Sequence, residues 1–237
     1  MAEIILVRHG QASFGADNYD CLSELGEKQA RWTGEFLQRS GVKLDAIYSG
    51  SLQRQRQTAQ GVVEIYSKAG LALPELVIDS RFNELDTDGQ IHKLSPVLAK
   101  TNPEIGSLMT GASSDSKIYQ KLLKQVFAHW VLDNPQVDGL QSWLEFKART
   151  ASALEDVRTM QGKGKTTAVF TSGGVVATLV AYVMGLPDSK VYSVFEPVIN
   201  ASITRFLYSS KEISLSSYNE HCHLPLVSND PKAITYR

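Results

Sequence analysis

The sequence predicts an α/β fold, a three-layer α/β/α sandwich around a mainly parallel sheet, with a helical cap-like insertion at about residues 85–142. Three observations lead there. Short apolar runs rich in β-branched residues alternate with segments of helical periodicity, as in βαβ units. Polar loops containing glycine or serine follow the runs, and in an open parallel sheet such loops gather at one edge. The stretch 81–142 breaks the rhythm, being polar and rich in Gly, Pro and Ser. At 237 residues the chain can bury one continuous core, so residues 1–237 are read as one domain.

The elements follow in order. Ile4-Ile5-Leu6-Val7 predicts a fully buried strand that ends in the polar loop Arg8-His9-Gly10. Ser23 is placed to cap a helix with Glu24 and Glu27 in its first turn, and Leu25, Trp32 and Phe36 recur at helical spacing until Gly41. Ala46-Ile47-Tyr48 reads as a second strand. The helix over 52–69 then turns Val62, Ile65, Tyr66 and Ala69 inward before Gly70 stops it. Leu76-Val77-Ile78 is a third strand, and one helix is predicted inside the insertion, over 118–132.

Ser142 and Glu145 have capping-box spacing, and their helix runs through Leu154 and Val157 to Met160. The strand over 167–170 turns through Thr171-Ser172-Gly173-Gly174 into a helix over 175–184, ended by Gly185 and Pro187. Residues 202–208 and 213–218 read as a hairpin at the sheet edge.

Composition narrows the function. Hydrophobic residues make up 43% and charged residues 21%, which is ordinary globular usage. A formal net charge of -1 provides no general field for nucleic acid or an anionic membrane, so an anionic ligand must be met by a local arginine cluster. Nucleic acid and membrane are not expected partners and oligomeric state is left open; the small phosphorylated molecule expected instead is read from the arginine and histidine motifs, not from composition. Cys21 and Cys222 lie far apart without metal-ligand spacing, which fits a reducing compartment. Met1-Ala2-Glu3 carries acid where a secretory signal carries base, and the apolar stretch 175–184 is far short of the ~20 residues a bilayer requires. A cytoplasmic location is the expectation.

Three polar motifs fall at the expected sheet edge: Arg8-His9-Gly10, the segment 49–54, and Thr171-Ser172-Gly173-Gly174. Two guanidiniums can fork onto a phosphate while an imidazole supplies a nucleophile, so the set suits phosphoryl transfer. Arg54, in the first turn of its helix, also has the positive end of the dipole beside it. Arg56 points to another face and is read as surface charge.

These motifs resemble a known family. Leu6-Val7-Arg8-His9-Gly10-Gln11, Leu22-Ser23 with Gly26 and Gln29-Ala30, and Ser51-Leu52-Gln53-Arg54 with Gln57-Thr58-Ala59 resemble the histidine phosphatase superfamily, also called phosphoglycerate mutase-like. The resemblance implies that His9 becomes phosphohistidine, that Arg8 and Arg54 bind phosphate, and that Glu84, in Arg81-Phe82-Asn83-Glu84-Leu85, is the general acid. Asp86 and Asp88 compete for that role, although a solvated acidic loop is their favoured reading. Most relatives carry a second histidine where this chain has Ser172. Here a serine hydroxyl and the N–H of Gly173 at a helix start are the expected phosphate donors, without a positive charge.

The tryptophan-asparagine pair of the glycolytic mutases is replaced by Gln11-Ala12-Ser13-Phe14-Gly15, which favours a phosphatase over a mutase. A catalytically weak phospholigand-binding or scaffolding protein is the reading from another class, motivated by Ser172. No cofactor and no metal are expected. His129 reads as a surface or boundary residue, and His221-Cys222-His223 as packing instead of a metal fragment. Gly164-Lys165-Thr166 imitates the end of a P-loop but precedes a strand, so it is read as a basic turn.

Overall fold

In the computed structural model, residues 2–13, 20–112 and 115–236 are described. A six-stranded sheet runs in the order β3-β2-β4-β1-β5-β6. Its strands are β1 (Ala2–Arg8), β2 (Ala46–Ser49), β3 (Leu76–Ile78), β4 (Thr166–Thr171), β5 (Ile203–Tyr208) and β6 (Ile213–Glu220). The first four are parallel, while β5 and β6 form the anticipated antiparallel hairpin at one edge.

Side chains of β1 alternate between the two faces of the sheet. Ile5 and Val7 pack with Leu37 of α1 (Glu24–Arg39) and with Val62 and Tyr66 of α2 (Gln53–Lys68). Ile4 and Leu6 join the larger core on the other face, with Phe146 and Leu154 of α6 (Trp143–Gln161) and Val175 and Leu179 of α7 (Gly173–Met184). Helices on both faces of a mostly parallel sheet make the predicted sandwich. Both predicted N-caps form: Ser23 accepts from Gly26 N, and Ser142 and Glu145 close a capping box.

The insertion differs from expectation. In place of one helix it contains α3 (Thr87–Leu98), α4 (Pro103–Gly111) and α5 (Ser116–Asp133). The first two were hidden by Gly89, Pro96 and Pro103, which read as loop punctuation. Asp86 caps α3 through Gly89 N, and Asn102 caps α4 with Pro103 in its first turn, a position proline tolerates. Tertiary burial of Leu94, Ile105, Leu122 and Val126 in the main core then stabilises helices whose sequences lack a strong stripe. Two short helices, α8 (Val191–Phe195) and α9 (His223–Ser228), also went unpredicted.

On α1, the buried face is Gly26, Gln29, Ala30, Thr33, Gly34 and Leu37, leaving Leu25, Trp32 and Phe36 half-buried; on α2, Ala69 is exposed as the C-cap. Small residues permit the close packing of α1 on α2: a Cβ on Gly61 would stand 2.8 Å from the Cβ of Ala30. Among the described residues no helix is long and apolar enough to cross a membrane.

Candidate active site

Parallel strands β1, β2 and β4 deliver their C-terminal loops to one edge, where a cavity of about 400 Å³ has Arg8, His9, Arg54 and Glu84 in its wall. His9 begins the loop after β1. Its backbone is pinned by its N–H to the Thr171 carbonyl (2.8 Å), and its carbonyl accepts from Ala201 N (3.1 Å) and Asn200 Nδ2 (3.3 Å). Gly10 and Gly26 let this loop lie against the start of α1, because a Cβ on Gly10 would stand 2.3 Å from the Gly26 carbonyl oxygen.

The hydrogen bonds assign the tautomer of the imidazole. Nδ1 lies 2.7 Å from the Gly10 carbonyl, which can only accept, while Arg54 Nε donates to Nε2 at 3.2 Å. The proton therefore sits on Nδ1, and the Nε2 lone pair is directed at Arg54. Burial first, then the positive charges of Arg54 and Arg8, hold this imidazole well below its ordinary range; the bond to Gly10 pulls more weakly the other way. His9 is thus neutral near pH 7, the form that has a lone pair to donate.

Arg54 occupies the second position of α2. Its Nη1 donates to Asp20 Oδ1 at 2.6 Å, and the other Asp20 oxygen accepts from Gln53 N at 2.8 Å. Asp20 thus orients the guanidinium and caps the helix start at once. Thr58, one turn on, donates to the Arg54 carbonyl (2.7 Å) and accepts from Gly10 N (3.1 Å), locking α2 to the His9 loop. Arg8 donates through Nη1 to the Val198 carbonyl.

Glu84 reaches the cavity from the segment after β3. Both its oxygens accept from Gly174 N, at 3.0 and 3.2 Å, and Oε1 also accepts from Leu85 N at 3.1 Å. The carboxyl group thus occupies a free N–H at the start of α7. Only glycine fits at 174, since a Cβ would stand 2.3 Å from Glu84 Oε1 and 2.4 Å from Leu85 Cδ2. Arg149 of α6 secures the same segment, donating to the carbonyls of Ser80 (2.9 Å), Arg81 (3.0 Å) and Asn83 (3.1 Å). Asp86 and Asp88 also line the cavity, both exposed, with Asp86 occupied as the cap of α3.

Ser172 and Gly173 are not themselves among the residues lining the cavity. Ser172 is fully buried, and its hydroxyl accepts from Gln55 Nε2 at 2.8 Å; the same Nε2 donates to the Phe82 carbonyl at 3.0 Å. Gly173 backs two wall residues, since a Cβ there would stand 3.2 Å from Phe195 Cε2 and 3.5 Å from Arg8 Nε. Gly174, not Gly173, spends its N–H on a carboxylate. Phe14 and Gly15, which entered the comparison with the mutases, lie outside the described residues.

The sequence analysis missed Asp20, Gln55, Thr58 and Arg149 as supports. Gln55 and Thr58 share a helix with Arg54, spaced so that both face the core; Asp20 and Arg149 carry no local signal, because their partners are distant in sequence. Arg56 is exposed, and His129 pairs with Asp133 at 2.6 Å on α5. His223 is packing: it stacks on Phe36 with ring centroids 5.0 Å apart and meets Thr33 Oγ1 at 3.1 Å.

The architecture is that of the phosphoglycerate mutase-like class of mostly parallel α/β sandwiches, with arginines, a histidine and a carboxylate around one cavity. A phosphoglycerate mutase from Bacillus anthracis superimposes with a TM-score of 0.66 over 94% of each chain at 17% identity. A phosphoserine phosphatase mutant from Entamoeba histolytica, in complex with phosphoserine, does so with a TM-score of 0.64 over 94% of this chain and 100% of that one, at 18% identity. The chain belongs to the histidine phosphatase superfamily (branch 1), whose profile matches residues 4–113 and 109–221. In sequence it is similar to the 2,3-bisphosphoglycerate-dependent phosphoglycerate mutase of Bartonella bacilliformis, 34% identical over 89 residues, which is 35% of this chain. The match spans 42% of that relative's length.

Proposed function

We propose that this protein is a phosphomonoester hydrolase working through a phosphohistidine on His9. The observation that carries the reading is the Nδ1–H tautomer of a neutral His9, whose Nε2 faces Arg54 in a cavity shared with Arg8 and Glu84. An incoming phosphate would draw the Arg54 guanidinium onto its oxygens and release the Nε2 lone pair. With Arg8 and Arg54 on the phosphoryl oxygens, Nε2 forms the N–P bond as the P–O bond to the alcohol breaks, and Glu84, entering this step as the carboxylic acid, gives the leaving oxygen its proton. Water then attacks phosphorus while the Glu84 carboxylate takes its proton, and orthophosphate and neutral His9 are regenerated. Asp20 and Arg149 are positioning residues for Arg54 and for the Glu84 segment.

Brief reaction with nitrophenyl phosphate, alkaline quench and mass spectrometry should locate an acid-labile phosphate on His9. Phosphate on another residue, or undiminished turnover in His9→Ala, overturns the mechanism.

A further inference from the structure

Resting on the phosphatase reading above, we propose that the substrate is the phosphomonoester of an amino alcohol, bound with its ammonium group among carboxylates and aromatic rings of the cavity. Charge is the first observation. Among the described residues of the wall, the basic ones are Arg8 and Arg54, both beside His9. Asp86 and Asp88, from the start of α3, and Glu196, directly after α8, supply carboxylates from other elements, and no ion pair with a described cation neutralises them. A leaving group carrying a second phosphate or a carboxylate would meet these acids with no cation of the wall other than the two arginines at His9 to offset them, whereas an ammonium meets three opposite charges.

The second observation is aromatic. Tyr119, Phe195 and Tyr236 reach the wall from α5, α8 and the segment after α9. Phe195 is held in place by stacking on Phe127, with ring centroids 5.5 Å apart and an interplanar angle of 6°. Tyr119 donates to Asp88 Oδ1 at 3.4 Å, joining one ring to one carboxylate. Aromatic faces backed by carboxylates are what a cation selects, and a quaternary ammonium most of all. Lys124 lies 5.9 Å from the ring centroid of Tyr192, so that ring is left out of the proposed cage. A cavity of about 400 Å³ suits a small substrate.

The test is kcat/KM of the full chain, in chelator, for 2-aminoethyl phosphate, phosphocholine, glycerol 3-phosphate, 3-phosphoglycerate and nitrophenyl phosphate. Both amino-alcohol esters should exceed glycerol 3-phosphate by about tenfold or more, with 3-phosphoglycerate lowest. The double substitution Asp88→Asn, Glu196→Gln should cut the ratio of 2-aminoethyl to glycerol phosphate about tenfold, as expected for two half-screened charges. Tyr236→Leu, at an exposed position, should cut the ratio for phosphocholine by a similar factor. Ratios at or below one, or ratios that neither variant moves, overturn the substrate class while turnover of nitrophenyl phosphate through phospho-His9 still stands. If that turnover is itself absent, the phosphatase reading falls and the substrate class falls with it.

Discussion

Ser172→Ala separates two physical roles for the serine at the turn from β4 into α7. The hydroxyl is fully buried and accepts a 2.8 Å bond from Gln55 Nε2, whose other bond goes to the Phe82 carbonyl at 3.0 Å. Removing it leaves one amide N–H unsatisfied in the interior, which costs about 1–3 kcal/mol. For a chain of this size each kcal/mol is worth roughly 2–4 °C in Tm. The Phe82 carbonyl keeps a second donor, Thr171 Oγ1 at 2.7 Å, so the segment leading to Glu84 should stay anchored and kcat should fall less than about tenfold. A hydroxyl acting directly on the phosphoryl oxygens would behave differently, with roughly 10²–10³ lost in rate. The assay pairs thermal melts with vanadate inhibition of nitrophenyl phosphate turnover. We expect a lowered Tm with nearly unchanged vanadate affinity. An unchanged Tm with vanadate affinity reduced a hundredfold would refute the assignment of Ser172 to the supporting shell and return it to the phosphate site.

Other consequences can be checked directly. Glu84→Gln keeps an acceptor for Gly174 N and Leu85 N, so it should fold, yet slow alkyl phosphates by roughly 10²–10⁴ and nitrophenyl phosphate far less, because nitrophenolate leaves without a proton. Equal slowing of both would deny it the acid role, and Gly174→Ala, which crowds the same carboxylate, should mimic the selective loss. Asp20→Asn weakens the 2.6 Å bond that aims Arg54 and should raise KM and lower kcat together, about tenfold in kcat/KM; unchanged kinetics would make that pair incidental.

His223 is held down to about 4 by burial first, then by the charge of His221, with an opposing bond to Ala201. The unfolded chain takes up the proton near the ordinary value of 6.5. Its contribution is therefore complete above pH 6.5 and is lost as the pH falls toward 4, about 3 kcal/mol in all. His223→Phe should flatten the decline of Tm between pH 7 and 5, though not abolish it, because buried His9 titrates in the same sense. An unaltered acid limb would contradict the packing role.

Local signals in the sequence settled the layers and the motif positions. The run Ile4-Ile5-Leu6-Val7, β-branched and bounded by a polar loop, reads as a buried strand, and Ser23 and Ser142 announced their helices because capping is a contact between near neighbours in the chain. Arg8, His9 and Arg54 could be singled out because each follows a recognisable strand end or helix start, and Glu84 because its segment resembles the family's; their meeting at one cavity follows from the parallel topology. The helices α3 and α4 were illegible because their stability comes from burial against distant elements, not from their own periodicity. Tertiary structure alone decided that Ser172 turns to Gln55, that Glu84 takes the Gly174 N–H, and that Asp20 aims Arg54, because these bonds join residues 117, 90 and 34 positions apart. The same holds for the ring of Tyr236 and the carboxylate of Glu196 in the cavity: three-dimensional packing brings them to His9 at the other end of the chain, and no local pattern encodes that distance.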